Sequence, residues 1–409
     1  MRVWLRTWGC RANAYDTQQV EARLRRAGLS VASSPNEADV AVLNSCAVTA
    51  EAVADLRQGA RRAARENPGL RTIVMGCAAA LDDGSISALP TVTDVIAGGD
   101  VDAVAAALGL PPDARPAEAQ SDARATLRVQ DGCDEHCTFC ATTQARGANR
   151  SRTAEALVAE ARMLAVTHPE IVLTGVHVGT YGADLGTSLG ALLTRLVEEV
   201  PTTRFRLASV EATEVCDPLR MLLRDGGDRV APYLHAPLQS GSDAVLRRMG
   251  RHWYTADRYR QAVERLVDGR AVFGLGADII TGFPGETDAD HRATMSLVEA
   301  LPFTHLHVFP WSPRPGTAAT KLGAAVAPAV ARARAAELRA LGRAKADAYA
   351  RRRVGGRATA VVVQGGPAPE GVTEDYLSVL LPAGATRRTV VRGRLAATGR
   401  GRLQLVPDP

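Results

Sequence analysis

The stretch VQDGCDEHCTFC, residues 129–140, packs Cys133, Cys137 and Cys140 into eight residues with no fourth cysteine nearby. A structural zinc site normally closes its tetrahedron with four Cys or His ligands. His136 lies inside the run but adjoins Cys137, and adjacent residues rarely point at one ion. A cubane iron–sulfur cluster usually takes four thiolates; with three, one iron stays open to a small molecule. The loop follows a candidate strand, TLRVQ (126–130), so the three thiols sit where a strand ends.

Outward from this loop the pattern repeats. Further candidate strands are EIVLTG (170–175), RFRLAS (204–209), PYLHAPL (232–238), FGLGADII (273–280) and THLHVFP (304–310), with helical stretches between them. Six strand–helix repeats are too few for a closed eight-fold barrel and predict an open, partial one. Barrel sites form at the carboxyl ends of strands. There the chain carries the cysteine loop, TGVHVGTYG, SVEATE, QSGSD, TGFPGET and WSPRPGT, each polar or glycine-rich. His177, His235, His305 and His307 have no metal-like spacing and read as hydrogen-bonded core or rim residues; Cys216 reads as a buried hydrophobe.

The first hundred residues show the same alternation. RVWLRTW is a strand followed by a helix from Asn13 to Ala27. ADVAVLN is a second strand, followed by Thr49 as N-cap and a helix to about Glu66; RTIVMG is a third. The unit is parallel α/β. Each strand runs into a cysteine, Cys10, Cys46 or Cys77. In an open parallel sheet the carboxyl ends line one crevice, so these three thiols are expected to converge. A Pro- and Ala-rich stretch near 108–124 reads as a linker.

At 409 residues and 46% hydrophobic, the chain is long enough for two or three domains. Seven cysteines, an odd number, argue against a secreted disulfide framework. The charged N-terminus is a poor signal peptide, and no run has the length of a membrane span. A cytoplasmic protein without membrane association is therefore expected, and a monomer. The net charge of +5 is uneven: residues 320–409 carry 16 Lys or Arg against 6 Asp or Glu. A basic tail on an acidic body points to a polyanion partner.

The Cys133, Cys137, Cys140 spacing, with aromatic Phe139 before the last cysteine, is similar to the C-x-x-x-C-x-aromatic-C signature of radical S-adenosylmethionine (SAM) enzymes. With Cys10, Cys46 and Cys77 ahead of it, the chain resembles the methylthiotransferases. It is most like the bacterial subfamily that acts on threonylcarbamoyladenosine in tRNA, through GCRANAYDT, NSCAVT, MGC, IVLTGVHVGTYG, HAPLQSGSDAVLRRMGRHW, ADIITGFPGET and LHVFPWSPRPGT. The resemblance implies an α/β fold of three domains and a linker: an N-terminal parallel α/β domain (1–110), the linker (111–124), a partial (β/α)6 radical SAM barrel (125–352) and a small TRAM-like β-barrel that binds RNA (353–409).

It also implies two 4Fe–4S clusters, one on Cys133, Cys137 and Cys140 that binds and reductively cleaves SAM, and one on Cys10, Cys46 and Cys77 that carries the sulfur. The expected product is 2-methylthio-N6-threonylcarbamoyladenosine at tRNA position 37. Phe139, Thr174, Gly175, Glu211, Gln239, Ser240, Ser242 and Asp278 are then candidates for contact with SAM. Arg146, Arg150, Arg152, Arg387, Arg388, Arg392 and Arg394, with Arg400 and Arg402, are candidates for RNA phosphates. A flavodoxin- or ferredoxin-like electron donor and a sulfur source are implied partners.

One stretch departs from the family pattern: ATTQARG (141–147) has Thr142, Thr143 and Gln144 where two aliphatics and a proline are common. Competing readings are methylthiolation of isopentenyladenosine in tRNA, of an aspartate in ribosomal protein S12, or a non-catalytic iron–sulfur RNA-binding protein.

Overall fold

In the computed structural model, residues 2–107 alternate strand and helix: β1 (Arg2–Trp8), α1 (Arg11–Arg26), β2 (Ser30–Val31), β3 (Val40–Ser45), α2 (Ala50–Glu66), β4 (Arg71–Gly76), α3 (Cys77–Ala80), β5 (Val92–Ala97) and α4 (Val101–Ala107). The structure describes every residue except 48, 49, 114, 400 and 409. Thr49, the expected N-cap, and Arg400 therefore lie outside the described residues.

The five strands form one parallel sheet in the order β2-β1-β3-β4-β5. The central strand β3 is buried along its whole length, as a parallel strand covered on both faces must be. Side chains alternate between faces: Ala41, Leu43 and Val74 pack with α2 residues Leu56 and Ala60 on one side, while Val40, Val42, Ile73 and Met75 meet Val20 and Leu24 of α1 on the other. The sequence reading missed β5, an edge strand of only intermediate burial whose hydrophobic pattern is correspondingly weak.

Residues 125–353 supply β6 (Ala125–Arg128), β7 (Gln130–Asp131), α5 (Thr142–Arg146), β8 (Arg150–Ser151), α6 (Ala154–Ala165), β9 (Glu170–Thr174), α7 (Leu189–Glu199), β10 (Arg204–Leu207) and α8 (Asp217–Asp225). They continue with β11 (Tyr233–His235), α9 (Asp243–Arg248), α10 (Ala256–Val267), β12 (Gly274–Thr281), α11 (Asp288–Ala300), β13 (His305–Pro310) and α12 (Pro328–Arg353). The parallel ladders β6-β9-β10 and β11-β12-β13 are joined by a bridge between Ser209 and His235. Six strands in chain order make the open barrel expected from the repeats. Leu127, Leu173, Leu207, Leu234 and Leu275 share its core.

The chain ends in β14 (Arg357–Gln364), β15 (Glu370–Thr373), β16 (Ser378–Leu380), β17 (Val390–Ala397) and β18 (Leu403–Pro407), closed in the order β14-β15-β16-β18-β17 around Ala360, Val362, Val379, Leu395 and Leu405. Its attachment is ionic. Glu170 is fully buried, and its carboxylate binds Arg204 Nη2 (2.7 Å) and Arg206 Nε (2.8 Å). The same guanidinium of Arg206 donates to Thr373 O (2.9 Å) and Glu374 O (3.0 Å), and Arg204 donates to Thr359 O (3.1 Å). A Cβ on Gly274 would stand 2.2 Å from Asp375 O, so the foot of β12 must be glycine for this loop to dock.

Burial opposes the charge of Glu170, but Arg206 and Arg204 overcome it and hold the carboxyl well below the usual carboxylate range. A depressed value contributes stability above the unfolded pKa, near 4.3, which is lost as pH falls toward the folded value. Glu170→Gln leaves two buried guanidinium groups without a counter-charge and is expected to cost about 3–5 kcal/mol. Urea denaturation at pH 7 checks this, with the gap between the two proteins narrowing below about pH 4.

Candidate active site

The N-terminal cysteines meet because small residues and a paired amide let three strand ends approach. A Cβ on Gly9 would lie 2.9 Å from Cys46 Cβ; one on Gly76, at φ +100°, would lie 2.4 Å from Asn44 Oδ1 and 2.5 Å from Ser45 O. Asn13 Nδ2 donates to Asn44 Oδ1 (2.8 Å) and Asn44 Nδ2 returns a bond to Asn13 O (2.9 Å), which locks the Cys10 loop to the Cys46 loop. Cys46 and Cys77 are buried and Cys10 is exposed. The hydrogen bond from Cys46 lowers Cys10 to about 6. Burial pushes the Cys77 thiol up, opposed by Arg146, whose Nε donates to Cys77 Sγ (3.3 Å).

The second triad hangs on a loop pinned at both ends. Cys133 N donates to Gly147 O (3.0 Å), and Thr138 N to Met249 O (2.9 Å). Gly132, at φ +72°, admits nothing larger, since a Cβ would fall 1.9 Å from Ala148 O. Backbone N–H groups of Glu135 and Thr142 point at the sulfurs of Cys133 and Cys140, 3.4 Å each. Arg251 Nη1 lies 3.5 Å from Cys137 Sγ and His177 Nδ1 3.6 Å from Cys133 Sγ. Burial raises Cys137 to about 12 despite Arg251. Burial disfavours charge on His177, yet its bonds to Cys133 and Glu214 raise it to about 10. Clustered sulfurs with N–H donors and flanking cations fit a metal–sulfur cluster, whose binding drives off the thiol protons.

One cysteine of each triad, Cys77 and Cys140, lines a cavity of about 420 Å³. Ala47, Glu51 and Cys77 line it from the N-terminal sheet; Phe139–Thr142 and Ala145 from the loop; Gln239, Asp278, Ile280 and Phe309–Ser312 with Arg314 from β11 to β13. Phe139, Phe283 and Trp311 meet edge to face. Gln239 holds φ +63°, a strained backbone of the kind found where function over-determines geometry. Of the departing residues, Thr142 Oγ1 accepts from Cys140 Sγ (3.0 Å), and Gln144 Nε2 donates to Gly316 O (3.2 Å).

The structure gives several of the expected contact residues partners within the chain. Arg146, placed at RNA phosphates, is buried: it joins Asp16 of α1 (2.8 Å) and Asp131 (3.2 Å) to the cysteine site. Arg152 pairs with buried Glu160 (2.7 Å) and donates to Tyr15 OH, tying α1 to α6. Arg150 is exposed. Glu211, expected at SAM, gives one oxygen to Arg251 and the other to Trp253 Nε1, and so orients the cation beside Cys137. Ser240 is buried against Thr294, and Ser242 caps α9 and donates to Asp290.

Thr174 is buried, and the backbone of Gly175 abuts Gln130 O, where a Cβ would come within 2.8 Å. Phe139, Gln239 and Asp278 do reach the cavity. Arg387, itself exposed, and Arg388 donate to Ser121 O and Gln120 O and clasp the linker; Arg392 and Arg394 are exposed as well. Cys216 is exposed ahead of α8. Missed altogether were Arg251, Arg314 and Gln130; Gln130 Oε1 accepts from Val176 N (3.0 Å) and His177 N (2.9 Å) while its Nε2 donates to Gly132 O. Also missed was the meeting of His235 and His307 on Asp278, at 3.0 and 3.2 Å.

An open six-stranded parallel barrel with a three-cysteine loop after its first strand defines a radical SAM enzyme. Residues 127–298 match the radical SAM superfamily, and residues 2–98 match the family described as uncharacterized protein family UPF0004. The threonylcarbamoyladenosine tRNA methylthiotransferase MtaB of Thermotoga maritima is 36% identical over 78% of this chain and 77% of its own. The tRNA-2-methylthio-N(6)-dimethylallyladenosine synthase of Paracoccus denitrificans is 33% identical over 83% of this chain and 81% of its own. In fold the chain is similar to the radical SAM methyltransferase TsrM of Kitasatospora setae, with TM-score 0.57 and 14% identity over 78% of this chain and 76% of that one. The chain belongs to the radical SAM tRNA methylthiotransferase family. Membership implies SAM and a 4Fe–4S cluster. No helix among the described residues is long and apolar enough to cross a membrane.

Proposed function

We propose that the enzyme methylthiolates C2 of N6-threonylcarbamoyladenosine at tRNA position 37, with Cys133, Cys137 and Cys140 holding one 4Fe–4S cluster and Cys10, Cys46 and Cys77 a second. The observation that carries this is the single cavity lined by Cys77 of one triad and Cys140 of the other, which would let one bound base face both sites. When bound, the clusters supply the electron that cleaves SAM and the sulfur that reaches carbon.

The chain's own residues do the rest. Phe139, Phe309 and Trp311 offer apolar faces to an unstacked base, the form in which loop nucleotides are read. Gln239 and Asp278 are polar groups of the cavity wall available to SAM or the base. Arg146 ties the two sites together, donating to Cys77 Sγ and pairing with Asp16. A flavodoxin- or ferredoxin-like donor and a sulfur source complete the system. Mass spectrometry of tRNA nucleosides from a deletion strain tests the reading: the 2-methylthio form of threonylcarbamoyladenosine should vanish and return on complementation.

Arg392 and Arg394, both exposed on β17, are tail residues available to phosphate. Changing both to Gln should weaken tRNA binding and flatten its log–log salt dependence by about 0.7–0.9 for each phosphate no longer neutralised. Filter binding across a salt series measures the slope; an unchanged slope would make them a solvated surface.

A further inference from the structure

Helix α9 closes on a pair of backbone hydrogen bonds: Gly250 N donates to Arg247 O (3.0 Å) and Arg251 N to Leu246 O (2.9 Å), with Gly250 at φ +75°. A left-handed residue at this position favours glycine. Space demands it as well, since a Cβ there would stand 2.9 Å from His136 O in the cysteine loop. The loop is fastened to the same helix end by Thr138, whose N donates to Met249 O (2.9 Å) and whose Oγ1 donates to Arg248 O (2.8 Å). The turn that ends α9 therefore delivers the next side chain, Arg251, to Cys137.

Arg251 is only 4% exposed, and each edge of its guanidinium has a partner. Nε donates to Tyr254 OH (2.9 Å), Nη2 to Glu211, and Nη1 lies 3.5 Å from Cys137 Sγ. The rings of Trp253 and Tyr254 lie 4.8 and 5.1 Å from the guanidinium carbon. Glu211 is fixed in turn, because its second oxygen accepts from Trp253 Nε1. A guanidinium stays charged at every working pH. The outcome is a buried, oriented ion pair whose cationic member is the one in contact with sulfur.

We propose that Arg251, aimed by Glu211, Trp253 and Tyr254, raises the reduction potential of the cluster on Cys133, Cys137 and Cys140. The inference rests on the reading above that these cysteines hold a 4Fe–4S cluster. Reduction passes one electron from the flavodoxin- or ferredoxin-like carrier to that cluster, with no bond made or broken. An N–H donor and a positive charge at a ligand sulfur favour the form with the extra electron, and hydrogen bonds to sulfur are a recognised lever on cluster potential. Burial strengthens the effect, since little water screens the charge. Arg251 acts through Cys137 and touches no reacting atom, so it is a positioning residue.

The test is a redox titration without SAM, read by the electron paramagnetic resonance of the reduced cluster. It uses the reconstituted enzyme, and the same full chain with Cys10, Cys46 and Cys77 changed to Ala to assign the signal. In Arg251→Met the reduced fraction at a fixed potential is expected to fall about tenfold, a midpoint lower by about 59 mV for one electron. Arg251→Lys, which keeps the charge and loses the fork, should restore part of the shift. Glu211→Gln keeps an acceptor for Arg251 and removes the opposing charge, so its midpoint should rise. Opposite signs are what electrostatics requires and what a merely loosened loop does not give. Midpoints unchanged in Arg251→Met, or moving the same way in Arg251→Met and Glu211→Gln, with iron content and circular dichroism as in the parent, would overturn the proposal. If Arg251→Met fails to hold iron, Arg251→Lys against Glu211→Gln decides by the same signs. No iron on the loop cysteines of the Cys10, Cys46 and Cys77 variant would instead overturn the cluster reading itself.

Discussion

A Cys46→Ala protein should attach no methylthio group to tRNA yet still release 5′-deoxyadenosine when reduced with SAM. Cys46 is buried at the end of β3, hydrogen-bonded to Cys10, and belongs to the N-terminal triad. The loop of Cys133, Cys137 and Cys140, to which SAM cleavage is assigned in the proposal, is built by other contacts: Cys133 N on Gly147 O, Thr138 N on Met249 O, and the N–H donors of Glu135 and Thr142 on sulfur. None of these involves β3. Methylthiolation is expected to fall to background while SAM cleavage persists, uncoupled from transfer. A paired assay of 5′-deoxyadenosine and 2-methylthio nucleoside on the same sample reads both. Full methylthiolation by this variant would make the N-terminal sheet a docking module.

Changing Cys133, Cys137 and Cys140 together to Ala should abolish both products and leave about four irons per chain on the remaining triad. The independence follows from the supports of the two sites, since Asn13, Asn44 and Gly76 shape one and Gly132, Arg251 and His177 the other. They touch through Arg146, which reaches Cys77 from the helix that follows Cys140. Loss of all iron from a folded triple variant would mean that a single cluster spans both sets of cysteines.

Much of this site can be read along the chain. The loop cysteines lie within eight residues, and each N-terminal cysteine follows closely on a strand whose apolar run is unmistakable. Even the glycines before Cys10 and Cys77 carry meaning, because Gly9 and Gly76 are where a Cβ would collide with the neighbouring loop. Arg146 misleads for the same reason it matters. An arginine in a basic run looks solvated, but its partner Asp16 lies 130 residues away and the pair is buried.

Strand periodicity, turn residues and ligand spacing are short-range properties, set by sterics and burial within a few residues of each position. They account for the α/β class, the six-stranded repeat and the two cysteine triads. Which faces then meet is settled by strand order and packing between segments far apart in the chain. That is why the Glu170 carboxylate became a rivet for the C-terminal barrel, why Glu211 serves Arg251 and Trp253, and why His307, 29 residues away in the chain, bonds to Asp278. A polar residue's neighbours, and with them its charge and its role, exist only once the sheet registers are fixed, because burying it without a partner would cost more than any local preference supplies.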